Sequence, residues 1–209
     1  MSKTLFILDP GHGGLHPETN RYVTAGKRMV KDDIEFYEGV NNRDNVNRIL
    51  AEMEKYNLDA IDITGGSWRD ISLIERVNKA NEIAKERECV YISIHSDANG
   101  NGKEWNKASG IGGFIANNAS SKSIKMANFL RQEAQCNFHG IAIDRNIKRA
   151  NFYVLRATSM PAILWEFGFH TNEIEVRNMQ TEDWKQRLTK SVVDACKLYQ
   201  TLRNTYTSY

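Results

Sequence analysis

Three ionisable residues stand where apolar runs of this chain end. Thr4 to Leu8 leads into Asp9-Pro10-Gly11-His12-Gly13-Gly14, which puts the His12 imidazole among three glycines. Cys89 to Ile94 leads to His95, and Met160 to Trp165 leads to Glu166. Two imidazoles and one carboxylate are the donor set of a catalytic zinc site, which keeps a fourth position for water. A second carboxylate that does not ligate is what such a site needs to carry protons. Glu38, at the start of a helical pattern just downstream of His12, makes two carboxylates available. Glu166 follows apolar residues and is expected to be partly desolvated, which raises a carboxyl pKa. Residues of these types and numbers suit metal-assisted hydrolysis of an amide or ester. Each also has a plainer reading: a hydrogen-bonded surface histidine, a glutamate favoured by a helix N-terminus, or Glu166 paired with Arg145 or Arg156. His16, His139 and His170 compete for a metal, although neither His16 nor His139 has a rigid element behind it.

The elements that must position these residues follow from periodicity. Thr4–Leu8, Leu58–Ile63, Cys89–Ile94, Gly110–Ala116, Asn151–Leu155 and Met160–Trp165 read as strands, and Cys89–Ile94 has the β-branched apolar character of a strand covered on both faces. His16 to Asp33 is polar, carries Pro17 and Gly26, and reads as a long surface loop. Another loop runs from Asn99 to Ser109. A helix from Glu38 to Tyr56 carries Val46, Ile49, Leu50 and Met53 at core-facing spacing, with Glu38 at the edge of that face. Glu35 falls on the same face if the helix starts earlier, so spacing leaves the choice between the two glutamates open. Further helices are expected over Ile71–Glu86, with Ile74, Val77, Asn81 and Ala84 on one side, over Ser123–Gln135, and over Thr181–Thr201. Trp184, Leu188, Val192, Ala195 and Tyr199 form the buried stripe of the last, and Arg203 to Tyr209 reads as a frayed tail. Strands alternating with helices give a single α/β domain over 1–209, with a mostly parallel twisted sheet of about six strands and helices on both faces. In such sheets ligands gather at the carboxyl ends of strands, where His12 and His95 are placed.

Composition narrows the partners. The chain has 209 residues, 41% apolar and 26% charged, which is the profile of a globular protein. Lys+Arg 28 against Asp+Glu 26 leaves a net charge of only +2, without the basic excess that nucleic acid requires. No apolar run approaches the ~18 residues of a membrane span, and no membrane partner is expected. Cys89, Cys136 and Cys196 are too dispersed for a zinc ribbon or a disulfide framework, and Cys196 reads as a buried thiol. The first glycine loop lacks both G-x-G-x-x-G spacing and a following Lys-Ser/Thr, which argues against phosphate binding.

Several blocks, in order, resemble the zinc-dependent N-acetylmuramoyl-L-alanine amidases of bacterial autolysins and phage endolysins. These are Asp9 to Gly14, Glu38 with Asn42, Leu73 to Asn81 of the Leu-x-x-Arg-x-x-x-Ala-Asn type, Ile92 to Ala98, Val154-Leu155-Arg156, and Met160 to Phe169. The resemblance implies that His12, Glu38 and His95 hold Zn2+ and that Glu166 is the catalytic carboxylate. It selects Glu38 over Glu35 through the asparagine four residues on. It also implies cleavage of the amide between the lactyl group of N-acetylmuramic acid and L-alanine of the peptidoglycan stem peptide, in an open groove whose glycines leave room for a glycan strand. The alternatives are a zinc carboxypeptidase or endopeptidase acting on wall peptides, and a non-catalytic wall binder. His170 replaces a usual aliphatic residue, Phe167 a usual small polar one, and Gly110 to Phe114 has extra glycines. The resemblance assigns no substrate-binding residue. With no signal-peptide pattern after Met1 and no wall-binding repeat, the expectation is a monomer made in the cytoplasm that reaches the cell wall after holin-mediated release.

Overall fold

Leu5–Pro10 is buried along its whole length and forms strand β1, the first strand of a six-stranded sheet. The computed structural model describes residues 3–100 and 102–206. In chain order there follow β2 (Arg28–Lys31), β3 (Ile34–Tyr37), α1 (Glu38–Lys55), β4 (Asp59–Asp62), α2 (Leu73–Glu86), β5 (Cys89–Asp97) and β6 (Ile111–Ala116). Then come α3 (Ser121–Asn137), β7 (Asp144–Ala150), α4 (Tyr153–Arg156), β8 (Ala162–Phe169), α5 (Glu173–Met179) and α6 (Glu182–Tyr206). The strand order is β4-β1-β5-β8-β6-β7, and every neighbouring pair is parallel except β6 with β8. The expected α/β sheet of about six strands is therefore what forms. None of its described helices is long and apolar enough to cross a membrane.

Alternation along the strands divides the core in two. Phe6, Leu8, Val90, Ile92, Ile163 and Trp165 face α1, α3 and α6, which form a thick layer closed by the stripe from Trp184 to Tyr199. Leu5, Ile7, Cys89, Tyr91, Ala162 and Leu164 point the other way, towards α2 and the single turn α4. That second face is covered only by Val77, Ala80, Val154, Leu155 and a few neighbours, so it stays open towards the carboxyl ends of the strands. Ser93, His95 and Glu166 continue this thinly covered face by the same alternation.

Five expectations need correction. His16 to Asp33 is not simply a loop, because Arg28–Lys31 pairs antiparallel with Ile34–Tyr37. Met29, Ile34 and Phe36 bury the inner side of this hairpin while Val30 and Glu35 face out. The strand expected at Asn151–Leu155 is instead the turn α4, and the strand is Asp144–Ala150. Charged residues are tolerated there because β7 is the sheet edge. The strand expected to stop at Trp165 continues to Phe169, since β6 adds a ladder from Ile111↔Phe167 to Phe114↔Leu164. Gly113 makes this pairing possible, because a Cβ there would lie 2.4 Å from the Trp165 ring. On α2 the buried residues are Arg76, Val77 and Ala80, whereas Ile74 is 60% exposed. The last helix extends beyond Thr201 to Tyr206, so helix covers the first part of the tail expected to fray, and 207–209 lie outside the described residues. All three cysteines are free, and Cys196 is buried as expected.

Candidate metal centre

Glu38 opens α1 and is 1% exposed, a buried carboxylate at the end of a helix whose dipole favours negative charge. Its position depends on Gly39, where an added Cβ would lie 1.9 Å from the Gly13 carbonyl oxygen. The Gly39 amide donates to the Tyr22 hydroxyl at 3.0 Å, and burial pushes that hydroxyl's pKa up to about 12. The Glu38 amide donates to the Lys27 carbonyl at 3.0 Å. These bonds fix the start of the helix against the β1 exit loop and the hairpin.

His12 lies in that exit loop with φ 66, a left-handed conformation that is unusual for a residue with a side chain. Two guanidinium groups hold it: Arg43 Nη1 and Arg76 Nη2 donate to the His12 carbonyl at 2.8 and 3.0 Å. Asn42 Nδ2 donates to the Gly11 carbonyl at 3.2 Å. The glycines around His12 do not clear space for a polymer. A Cβ on Gly11 would lie 2.1 Å from the His95 ring, and one on Gly13 2.4 Å from Val23. Their lack of side chains admits neighbours from this chain, the second imidazole among them.

Three donor atoms converge at the resulting site. His12 Nε2 lies 3.3 Å and His95 Nδ1 3.0 Å from Glu38 Oε1, and one ligand atom from each residue lies within 4.8 Å of the others. Ligands of a tetrahedral zinc ion are about 3.3 Å apart. Glu38 Oε2 is buried with no hydrogen-bond partner among the described residues, an orphaned oxygen that a cation would satisfy. Burial opposes the charge on Glu38, yet the two imidazoles hold its pKa well below the usual range. His95 behaves conversely: burial pulls its pKa down, but Glu38 and Glu166 together raise it.

The second nitrogen of His95 fixes its tautomer. Ser93 Oγ donates to Asp9 Oδ2 at 2.6 Å and lies 3.1 Å from His95 Nε2, while Asp9 is ion-paired to the buried Arg76. Ser93 has one proton and it goes to the carboxylate, so His95 Nε2 donates to Ser93. The neutral ring then presents its Nδ1 lone pair to the site. For Asp9, burial is outweighed by Arg76 and Ser93, so its pKa is lowered and the carboxylate stays charged.

Glu166 sits inside β8 in register with His95 of β5, so the two side chains stand next to each other on the thinly covered face. Burial pushes its pKa up to about 8, with the negative charge of Glu38 adding to the rise and His95 opposing it. Its Oε2 has no hydrogen-bond partner among the described residues. A cleft of about 330 Å³ reaches His12, His95 and Glu166, with Leu73, Phe152 and Leu164 on its apolar side.

None of the competing residues belongs to the donor cluster, although His170 lies next to Glu38. Glu35 is exposed on β3 and accepts from the Tyr37 hydroxyl. His16 packs on Trp68 with ring centroids 4.4 Å apart, and His139 is exposed beyond α3. His170 is buried behind Glu38, with its Nδ1 3.0 Å from Ser96 Oγ and 4.0 Å from Glu38 Oε2. Burial lowers its pKa. Arg145 pairs with Asp97, and Arg156 lies over the Tyr153 ring, so neither is the partner of Glu166. Sequence reading missed Arg76, Arg43 and Ser93 as supports. Ser93 carried a signal, being two residues before His95 on the same strand face. Asp9 and Arg76 are 67 residues apart, and nothing in their spacing pairs them.

The chain is similar to known proteins along most of its length. The chain is 28% identical over 196 residues to an uncharacterized cell wall amidase of Bacillus anthracis, covering 89% of this chain and 33% of that protein. It is 26% identical over 203 residues to the N-acetylmuramoyl-L-alanine amidase LytC of Bacillus subtilis, covering 95% of this chain and 36% of LytC. It thus spans about a third of the length of these two relatives. Among solved structures, an N-acetylmuramoyl-L-alanine amidase from Clostridium difficile 630 superposes with a TM-score of 0.79 at 26% identity, covering 100% of both chains. The profile of one family matches residues 6–197, nearly the whole of the sheet and its helices, and this chain belongs to that family, the N-acetylmuramoyl-L-alanine amidases.

Proposed function

We propose that this chain hydrolyses the amide between the lactyl group of N-acetylmuramic acid and L-alanine of the peptidoglycan stem peptide, with His12, Glu38 and His95 holding one zinc ion and Glu166 moving the proton. The observation that carries this reading is the convergence of His12 Nε2 and His95 Nδ1, 3.3 and 3.0 Å from Glu38 Oε1, beside a buried carboxyl whose pKa is pushed up to about 8. Zinc, when bound, supplies Lewis acidity at the scissile carbonyl and lowers the pKa of water.

This chain's own residues do the rest. Arg76, Asp9 and Ser93 hold His95 with its Nδ1 lone pair towards the site, and the two guanidiniums on the His12 carbonyl hold the other imidazole. Glu166 is ionised when a cation is held close by, because positive charge reverses the effect of burial on its pKa. It then takes the proton of the attacking water and gives it to the nitrogen of the leaving L-alanine, acting as base and then acid. The cleft lies on the thinly covered face beside α2 and α4, where a bulky polymer can reach His12, His95 and Glu166.

Mass spectrometry of purified peptidoglycan after digestion by the zinc-loaded chain tests the reading. Free lactyl carboxylates with new L-alanine amino termini are expected. A new terminus inside the peptide means a peptidase, and binding without release means a wall binder; either overturns the proposal.

A further inference from the structure

Two cations line the cleft, Arg76 and Lys27. Arg76 is buried and committed to Asp9 and to the carbonyls of Pro10 and His12. Lys27 is different. It is exposed, and its ammonium forms no ion pair or side-chain hydrogen bond among the described residues. The next lysine on the hairpin, Lys31, is paired with Glu104. The Lys27 carbonyl is bonded to the Glu38 amide, so the residue is fixed relative to the metal centre. Gly26 and Lys27 both take left-handed conformations, φ 67 and 49. That is unfavourable for a lysine, and such backbone outliers cluster at ligand-binding sites. Its charge is also felt at Glu166. Leu73, Phe152 and Leu164, which also line the cleft, are apolar.

Resting on the amidase reading above, we propose that Lys27 receives a free carboxylate of the substrate peptide. The group is the α-carboxylate of the second stem residue, a glutamate linked through its side chain, which some cell walls leave free and others amidate. An extended peptide advances about 3.5 Å per residue, so this group lies about 7 Å beyond the scissile nitrogen, a span the four-carbon lysine stem can meet. Lys27 is thus a specificity residue for stem peptides that carry this charge.

The test uses two soluble muropeptides that differ only in amidation at that position, with the zinc-loaded chain and its Lys27→Met, Lys27→Arg and Lys27→Glu variants. At low salt the wild type is expected to prefer the free carboxylate about fivefold in kcat/KM, with the difference in KM, as befits one partly solvated ion pair. Lys27→Met brings the ratio near one, Lys27→Arg keeps it, Lys27→Glu reverses it, and salt reduces it. A ratio that survives Lys27→Met and Lys27→Glu overturns the inference while leaving the amidase reading intact. A fall in kcat common to both substrates also overturns it, since Lys27 would then act through Glu166. If the wild type opens neither substrate at the lactyl amide, the amidase reading fails and takes this inference with it.

Discussion

Glu38 and Glu166 are both buried carboxyls, yet their surroundings push them in opposite directions. Burial would raise the pKa of Glu38, but two imidazoles within 3.3 Å hold it down, so it is an anion ready to ligate. Glu166 has no hydrogen-bonding partner at Oε2 among the described residues, and burial pushes it up to about 8. The consequence for stability can be signed. Without metal, the folded state binds the Glu166 proton more tightly than the unfolded chain does. Stability therefore falls as pH rises from about 4.5, the unfolded value, to about 8. Glu166→Gln removes the ionisation. In chelator-treated protein the variant should melt above the wild type at pH 8 to 9, and the gain should vanish near pH 4.5. Equal melting temperatures at pH 9 would contradict a desolvated Glu166. At this scale the histidines and Glu166 were legible because each follows an apolar run. Glu38 and Glu35 were not separable by helical period, and the difference came from where the hairpin ends and α1 begins.

The elements that carry the site meet at points with no room for a side chain. Gly39 at the start of α1 lies against Gly13 of the β1 exit loop, and Gly11 lies against the His95 ring from β5. Gly39→Ala must push α1 away from the loop that carries His12. Overpacking of this kind costs about 1–3 kcal/mol. A melting temperature lower by about 3–10 °C is expected, together with zinc affinity at least tenfold weaker by chelator competition. Gly14→Ala is the contrast, since its added carbon would meet Arg43 at an ordinary 3.4 Å. Unaltered zinc affinity in Gly39→Ala would mean that the helix start does not set the ligand geometry. Strands β1 and β5 were legible as unbroken apolar runs. The hairpin was hidden because each strand has four residues, although Ile34-Glu35-Phe36 alternates after Asp32-Asp33. Strand β7 was hidden because an edge strand can expose charge on Lys148 and Arg149, which removes the apolar signal.

Across the whole molecule, access to the candidate site follows from unequal covering of one sheet. The thick layer of α1, α3 and α6 supplies most of the core, and the thin layer of α2 and α4 leaves the strand ends accessible beside His12, His95 and Glu166. Alternating strands and helices made this α/β architecture legible in outline. The asymmetry was not, because it depends on α4 being one turn where a strand was expected, and on α2 turning Arg76 inward in place of Ile74. The division of labour among His12, Glu38, His95 and Glu166 is the central claim. It is tested most directly by measuring zinc per chain and the L-alanine amino termini released from peptidoglycan, for wild type, Glu38→Gln and Glu166→Gln in parallel. The account predicts one zinc per chain in wild type and in Glu166→Gln, with turnover in the latter lower by about 10²–10⁴-fold, and loss of both metal and turnover in Glu38→Gln. Release at the wild-type rate by Glu166→Gln, or full zinc occupancy in Glu38→Gln, would contradict it.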